Sequence, residues 1–296
     1  MSFSFSCFLI IDNRSTVGKC PRAFHKIPLT FIFIRVQNKS EGDNMRILRI
    51  TALAICIVIL LGNVCYAESA YNWHIKKRGN QTPGFPQNAS AVTENGGFYI
   101  DSCAATGGEK RIYLTFDAGY ENGNIEKILD VMKAHNVKGA FFILSNLIDK
   151  NPELVKRMAD EGHLVCNHTY NHKDMTTLTN AEILANLGRL EAKYKEATGY
   201  TMERIFRFPE GRYNERVLRL LNENGYKTVF WSMAYDDWDN SRQMNPELAK
   251  SKLLSTTHEG AILLLHPTSS TNAAILGDLI CEWKAQGYTF GSLKDL

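Results

Sequence analysis

No two cysteines in this chain have Cys-x-x-Cys spacing, and no low-complexity linker interrupts it. The first absence excludes that class of metal site. Only Cys103, Cys166 and Cys281 remain after residue 67, too few and too scattered for a disulfide framework. The second absence argues against a tethered second domain. The longest signal for a membrane segment, Ile50 to Leu61, is shorter than the about 20 apolar residues that a bilayer span needs. A basic field is missing too, although the whole chain is formally +3. Residues 1–67 hold eight Lys or Arg and three Asp or Glu, which leaves 26 basic and 28 acidic residues, a formal charge of −2, for the rest. That balance does not suggest a nucleic-acid partner.

What is present begins with a leader. Met45-Arg46-Ile47-Leu48-Arg49 is a short basic start, Ile50 to Leu61 is apolar, and Val64-Cys65-Tyr66-Ala67 ends in small residues at the cleavage positions. This is the pattern of a signal peptide over residues 45–67, cut after Ala67. Residues 1–44 have apolar patches without a consistent period and read as an over-extended gene start. The expected mature protein is secreted or associated with the cell wall, with no stable membrane span after cleavage.

Residues 68–296 suffice for one good-sized domain. Residues 68–110 read as an irregular arm, with Phe98-Tyr99-Ile100 as a short strand. From Arg111 onward, short apolar runs alternate with helical stretches. The runs are Ile112–Phe116, Ala140–Leu144, Leu164–Cys166, Ile205–Phe206, Thr228–Trp231 and Ala261–Leu265. Asn151-Pro152-Glu153 and Asn245-Pro246-Glu247 are helix starts, and Thr179 to Glu182 is a capping box. Glycines at 162, 199, 225 and 287 close helices and precede strands. The alternation predicts an α/β parallel sheet. A doubly wound open sheet fits it as well; a barrel is preferred because reactive residues follow so many different strands.

Those residues stand in five segments: Thr115-Phe116-Asp117, His168-Thr169-Tyr170-Asn171-His172, Arg207-Phe208-Pro209-Glu210-Gly211, Asp236-Asp237-Trp238 and Leu265-His266. A parallel barrel gathers strand ends on one face, so the five point to one shared site. Each has a bland reading alone. Asp117 could cap a helix, Arg207 could make a surface salt bridge, and Asp236 and Asp237 could be solvated loop acids. His266 could be a satisfied core histidine. Two histidines separated by three residues can chelate a metal on a helix or a tight loop. Their coincidence at strand ends is what the bland readings leave unexplained. The inventory suits metal-assisted hydrolysis.

In this order the motifs resemble the polysaccharide deacetylases of carbohydrate esterase family 4, the NodB-like domain, over about residues 111–296. Gly119 to Gly123 and the arm near Tyr71-Asn72-Trp73 look most like the muramic acid deacetylases of the spore-cortex muramic-δ-lactam branch. The resemblance implies a distorted (β/α)7 barrel, a catalytic domain over 111–296, and metal-dependent N-deacetylation of N-acetylmuramic acid in a peptidoglycan glycan strand. It implies Asp117 as general base, His266 as general acid, Arg207 as the residue orienting the base and Asp237 as the partner of His266. His168 and His172 would hold a divalent metal, most naturally zinc. Glu210 would lend its backbone N–H to the oxyanion, and Trp238 and Leu265 would wall the acetyl pocket. Typical members carry a second acid where this chain has Ala118, so the metal is expected to be weakly held. Cys166, two residues before His168, is a further candidate ligand. The alternatives are an N-acetylglucosamine deacetylase on peptidoglycan or chitin-like polymer, and a catalytically inactive glycan-binding domain.

Overall fold

The structure, a computed structural model, describes residues 68–296. The expected leader at 45–67 and the segment 1–44 lie outside the described residues. The strands are β1 (Tyr71–Asn72), β2 (Lys76–Arg78), β3 (Gln81–Gly84), β4 (Arg111–Ala118), β5 (Ala140–Ile143), β6 (Leu164–Asn167), β7 (Glu203–Phe206), β8 (Arg212–Tyr213), β9 (Lys227–Thr228), β10 (Met233–Ala234), β11 (Ile262–Leu265) and β12 (Thr289–Phe290). Eight form one parallel sheet in the order β10-β11-β4-β5-β6-β7-β9, with β12 beside the start of β4. Helices follow the strands, and the sheet is rolled into a half-barrel of the α/β class.

β4 illustrates why the sheet forms where it does. Ile112, Leu114, Phe116 and Ala118 join the apolar layer between sheet and helices. Tyr113 joins the apolar cluster on the other face with Phe142, Cys166, Ile205 and Ile262. A strand buried on both faces needs a nearly unbroken apolar run, and this one has it. Fully burying one such side chain contributes about 1.5–3 kcal/mol.

The sequence predicts one strand over Thr228–Trp231, but the ladder breaks after Thr228 and resumes at Met233. Between them the backbone bonds elsewhere. Phe230 N–H donates to Phe98 O at 2.8 Å, and Ser232 N–H to Ile262 O at 3.0 Å. Phe98 bridges Val229 and Ile100 bridges Ala261, so the short expected strand of the arm is wedged at this break.

The helix signals act mostly as read. Thr179 and Glu182 form the capping box, and Asn245 accepts from the N–H groups of Glu247 and Leu248. Asn151 precedes its helix but makes no side-chain cap bond. Gly199 ends the helix Asn180–Thr198 with φ +80°, a conformation that glycine adopts without a Cβ penalty. Among the described residues no helix is long and apolar enough to cross a membrane.

Candidate active site

Every segment singled out by sequence reaches the C-terminal end of the sheet. Asp117 lies at the end of β4, His168 follows β6, Arg207 follows β7, Asp237 lies three residues past β10, and His266 follows β11. Asp117, His168, His172, Glu210, Trp238 and His266 line one cavity of about 480 Å³, together with Gly211, Trp231 and Leu264. That volume is within the about 300–1,000 Å³ common for small-molecule sites.

Arg207 anchors one side. It is fully buried, and every arm of its guanidinium is used. Nη1 donates to Asp117 Oδ1 at 2.8 Å, Nη2 to Thr115 Oγ1 at 2.8 Å, and Nε to Val229 O at 3.0 Å. Its carbon Cζ lies 4.1 Å from the centre of the Phe142 ring. Burial alone would push the Asp117 carboxyl up. The Arg207 charge beside it, helped by His168 and His266, holds it below the usual carboxylate range.

The opposite side carries a second pair. Asp237 is buried, and its Oδ1 lies 2.7 Å from His266 Nδ1. Its Oδ2 accepts from the His266 backbone N–H at 2.7 Å and from Asn272 Nδ2 at 2.6 Å. Burial lowers the basicity of His266, but the Asp237 carboxylate overrides it and the pKa is raised. The ring therefore keeps its proton to higher pH, with Nε2 free to face the cavity.

His168 sits between these pairs. Its Nδ1 lies 2.9 Å from Arg207 O, the geometry of an N–H donated to a carbonyl, which leaves Nε2 as a lone-pair donor 3.6 Å from Asp117 Oδ2. Burial pushes its pKa down to about 4, so the ring is neutral at pH 7. The His172 ring centroid is 5.1 Å away, edge to face. Two imidazoles near a carboxylate, one neutral and held through its far nitrogen, fit an open divalent-cation site. Among the described residues no group of three or more His, Cys, Asp or Glu is arranged as a fuller cage. Cys166 is fully buried beside Phe142, with burial pushing its thiol well above the usual range, which does not suit a thiolate ligand.

Strain gathers here. Four non-glycine residues have positive φ among those described, and three of them, Thr169 (76°), His172 (57°) and Glu210 (56°), belong to this site. Such residues cost about 1–3 kcal/mol and persist where surroundings over-determine them. The supports are visible: Asn167 Oδ1 accepts the Thr169 N–H at 2.9 Å, and Thr169 Oγ1 accepts the His172 N–H at 2.8 Å.

One expectation is corrected. Leu265 does not wall the cavity; it packs into the sheet–helix layer, and Leu264 lines the cavity instead. Side chains alternate along a strand, so the residue two before His266 shares its face. Ala118 likewise lies in the sheet–helix layer, fully buried. Trp231 and Asn272 carry no signal of a site role in the sequence, and Thr115 stands there only as part of the Asp117 segment, because their roles arise from contacts with distant segments.

A family profile described as polysaccharide deacetylase matches residues 104–229. The peptidoglycan-N-acetylmuramic acid deacetylase PdaA of Bacillus subtilis (strain 168) is 39% identical over 251 residues, covering 83% of this chain and 94% of its own. The solved structure of Bacillus subtilis PdaA, described as a family 4 carbohydrate esterase, matches with a TM-score of 0.73 at 40% identity, over 77% of this chain and 97% of that one. A family 4 carbohydrate esterase from Bacillus anthracis matches with a TM-score of 0.63 at 36% identity, over 77% and 96% of the two chains.

Proposed function

The chain belongs to the polysaccharide deacetylase family, and we propose that it hydrolyses the N-acetyl amide of N-acetylmuramic acid in peptidoglycan, the step that leads to muramic-δ-lactam in spore cortex. The observation that carries this reading is the pairing of two opposed groups across one cavity. Asp117 is kept ionised by Arg207, and His266 is kept protonated by Asp237. Environments that push two titratable groups apart assign the base and the acid.

Asp117 takes the proton from the attacking water, and Arg207 fixes the direction of its carboxylate. His266 returns a proton from Nε2 to the departing amine, because Nδ1 is committed to Asp237. The Glu210 backbone N–H shares the developing oxyanion charge. Leu264 and Trp238 wall the acetyl methyl. His168 and His172 would hold a divalent cation, zinc by donor type, which when bound polarises the amide carbonyl and acidifies water. Two protein ligands instead of three make that binding weak. The similarity to PdaA supports muramic acid as the substrate sugar. The leader expected at 45–67 supports export to the cell wall, where peptidoglycan is found.

An inactive glycan-binding domain would need neither the Arg207–Asp117 pair nor the Asp237–His266 pair, and both are present. The test is acetate release from peptide-free muramic glycan and from N-acetylglucosamine polymers, each with added zinc and with a mild chelator. Release from the muramic glycan that zinc raises and chelation lowers is the expected result. Release only from the glucosamine polymers would move the substrate to the alternative sugar. Binding without release would leave a lectin-like module.

A further inference from the structure

The arm before the sheet reaches the wall of the cavity. β1 runs antiparallel to β8, with Tyr71 opposite Tyr213 and Asn72 opposite Arg212. The ladder then continues one residue further, where Trp73 N–H donates to Gly211 O at 2.9 Å. Gly211 follows Glu210, the residue held at φ 56° whose N–H is assigned to the oxyanion. The Trp73 side chain makes a second attachment. Its indole Nε1–H donates to Trp231 O at 2.9 Å, in the break between β9 and β10. The ring stacks on Phe230, with centroids 4.6 Å apart.

Gly211 is enclosed by these two tryptophans. A Cβ there would lie 2.7 Å from Trp231 Cη2 and 2.9 Å from Trp73 Cβ, closer than real contacts allow. Gly211 and Trp231 both line the cavity, whereas Trp73 does not and is only 5% exposed. Glu210 is thus constrained on both sides. Pro209 before it has a locked φ. The Gly211 carbonyl after it is tied to the arm.

We infer that Trp73 is a positioning residue of the deacetylase site: one residue of the arm sets both the Glu210–Gly211 turn and the Trp231 wall. The inference rests on the function proposed above. It places part of the active-site support outside residues 111–296, in a segment that touches no reacting atom.

Trp73→Phe keeps a ring to stack on Phe230 and removes the indole donor together with the volume of the second ring. Trp283→Phe is the control. Trp283 is equally buried, its indole donates to Thr257 Oγ1 at 2.8 Å, and it packs in the sheet–helix layer away from the cavity. Trp73→Phe should lower kcat about tenfold, as small misplacements of catalytic groups do, with KM changed less than about twofold. Amide hydrogen exchange over residues 208–213 and 230–232 should quicken. Trp283→Phe should lose comparable stability and change neither readout. Unchanged exchange in Trp73→Phe, or an equal fall in kcat in both variants, would overturn the inference. A wild-type protein that releases no acetate from any glycan would instead sink the deacetylase reading, and the exchange comparison would still decide whether Trp73 holds the turn.

Discussion

Buried histidines occupy both ends of the sheet, and the two ends treat them differently. At the N-terminal end, His163 precedes β6 and His258 precedes β11. His163 accepts the Gly139 N–H at 3.2 Å, and His258 sits between the Thr256 carbonyl at 3.1 Å and the Ser232 hydroxyl at 3.0 Å. Burial pushes both below the usual imidazole range, His163 to about 4. At the C-terminal end, His266 is only half-buried at the cavity; desolvation still pulls its pKa down, yet the pKa is raised because Asp237 faces it. His168, beside Asp117 but desolvated and near His172, stays low. Burial therefore makes a histidine neutral by default. A directly bonded carboxylate turns it into an acid, and its absence leaves a lone pair suited to a metal or a structural bond.

The comparison breaks most sharply on activity. Asp117→Asn should retain the fold and lose about 10²- to 10⁴-fold in turnover, while His258→Asn at the other end should leave turnover within about threefold at a temperature where it stays folded, because it touches no group of the cavity. Equal losses in acetate-release assays would mean that the two ends are not functionally distinct.

Arg207 supplies the next largest effect. Arg207→Met leaves Asp117 charged and buried without its partner and should destabilise the protein by about 3–5 kcal/mol. Urea unfolding measures it. A loss below about 1 kcal/mol would show that the pair is solvated in solution.

Acid stability sharpens the other end. The folded pKa of His163, about 4, lies below the unfolded value of about 6.5. Stability from the neutral ring is fully present above about pH 6.5 and is lost as pH falls through about 4, up to about 3 kcal/mol. His163→Asn should flatten that part of the stability curve. A wild-type curve already flat between these values would contradict a neutral His163.

The smallest effect is a shift of profile. Activity needs Asp117 ionised and His266 protonated, so it should fall on the acid side below the usual carboxylate range and on the alkaline side above the usual imidazole range. In Asp237→Asn the alkaline limb should move to lower pH, since the charge that raises His266 is gone. An unmoved limb in kcat against pH would assign it to another group.

Much of this site was legible in the sequence. Asp117, His168, Arg207 and His266 could be picked out because each ends an apolar run, and parallel strands bring their ends together. Leu265 was misread for Leu264 although period-two alternation from His266 carries the answer. The break at Val229–Ser232 was not legible, because those residues look like any buried strand; what diverts them is pairing with Phe98 and Ile262. Trp73 stands in the sequence as part of the arm near Tyr71-Asn72-Trp73, and nothing local assigns it to Gly211.

The alternation of strands and helices, the capped helix starts, the glycine stops and the residue types at strand ends are all local properties of the chain. These depend on side-chain period and on hydrogen bonds spanning a few residues. Packing of the whole fold brings Arg207 to Asp117 and Thr115, Asp237 to His266, and Trp73 to Gly211 beside Glu210. Those pairings join segments far apart in the chain. Their register is set by how the layers of the core interlock, which no single stretch of sequence encodes.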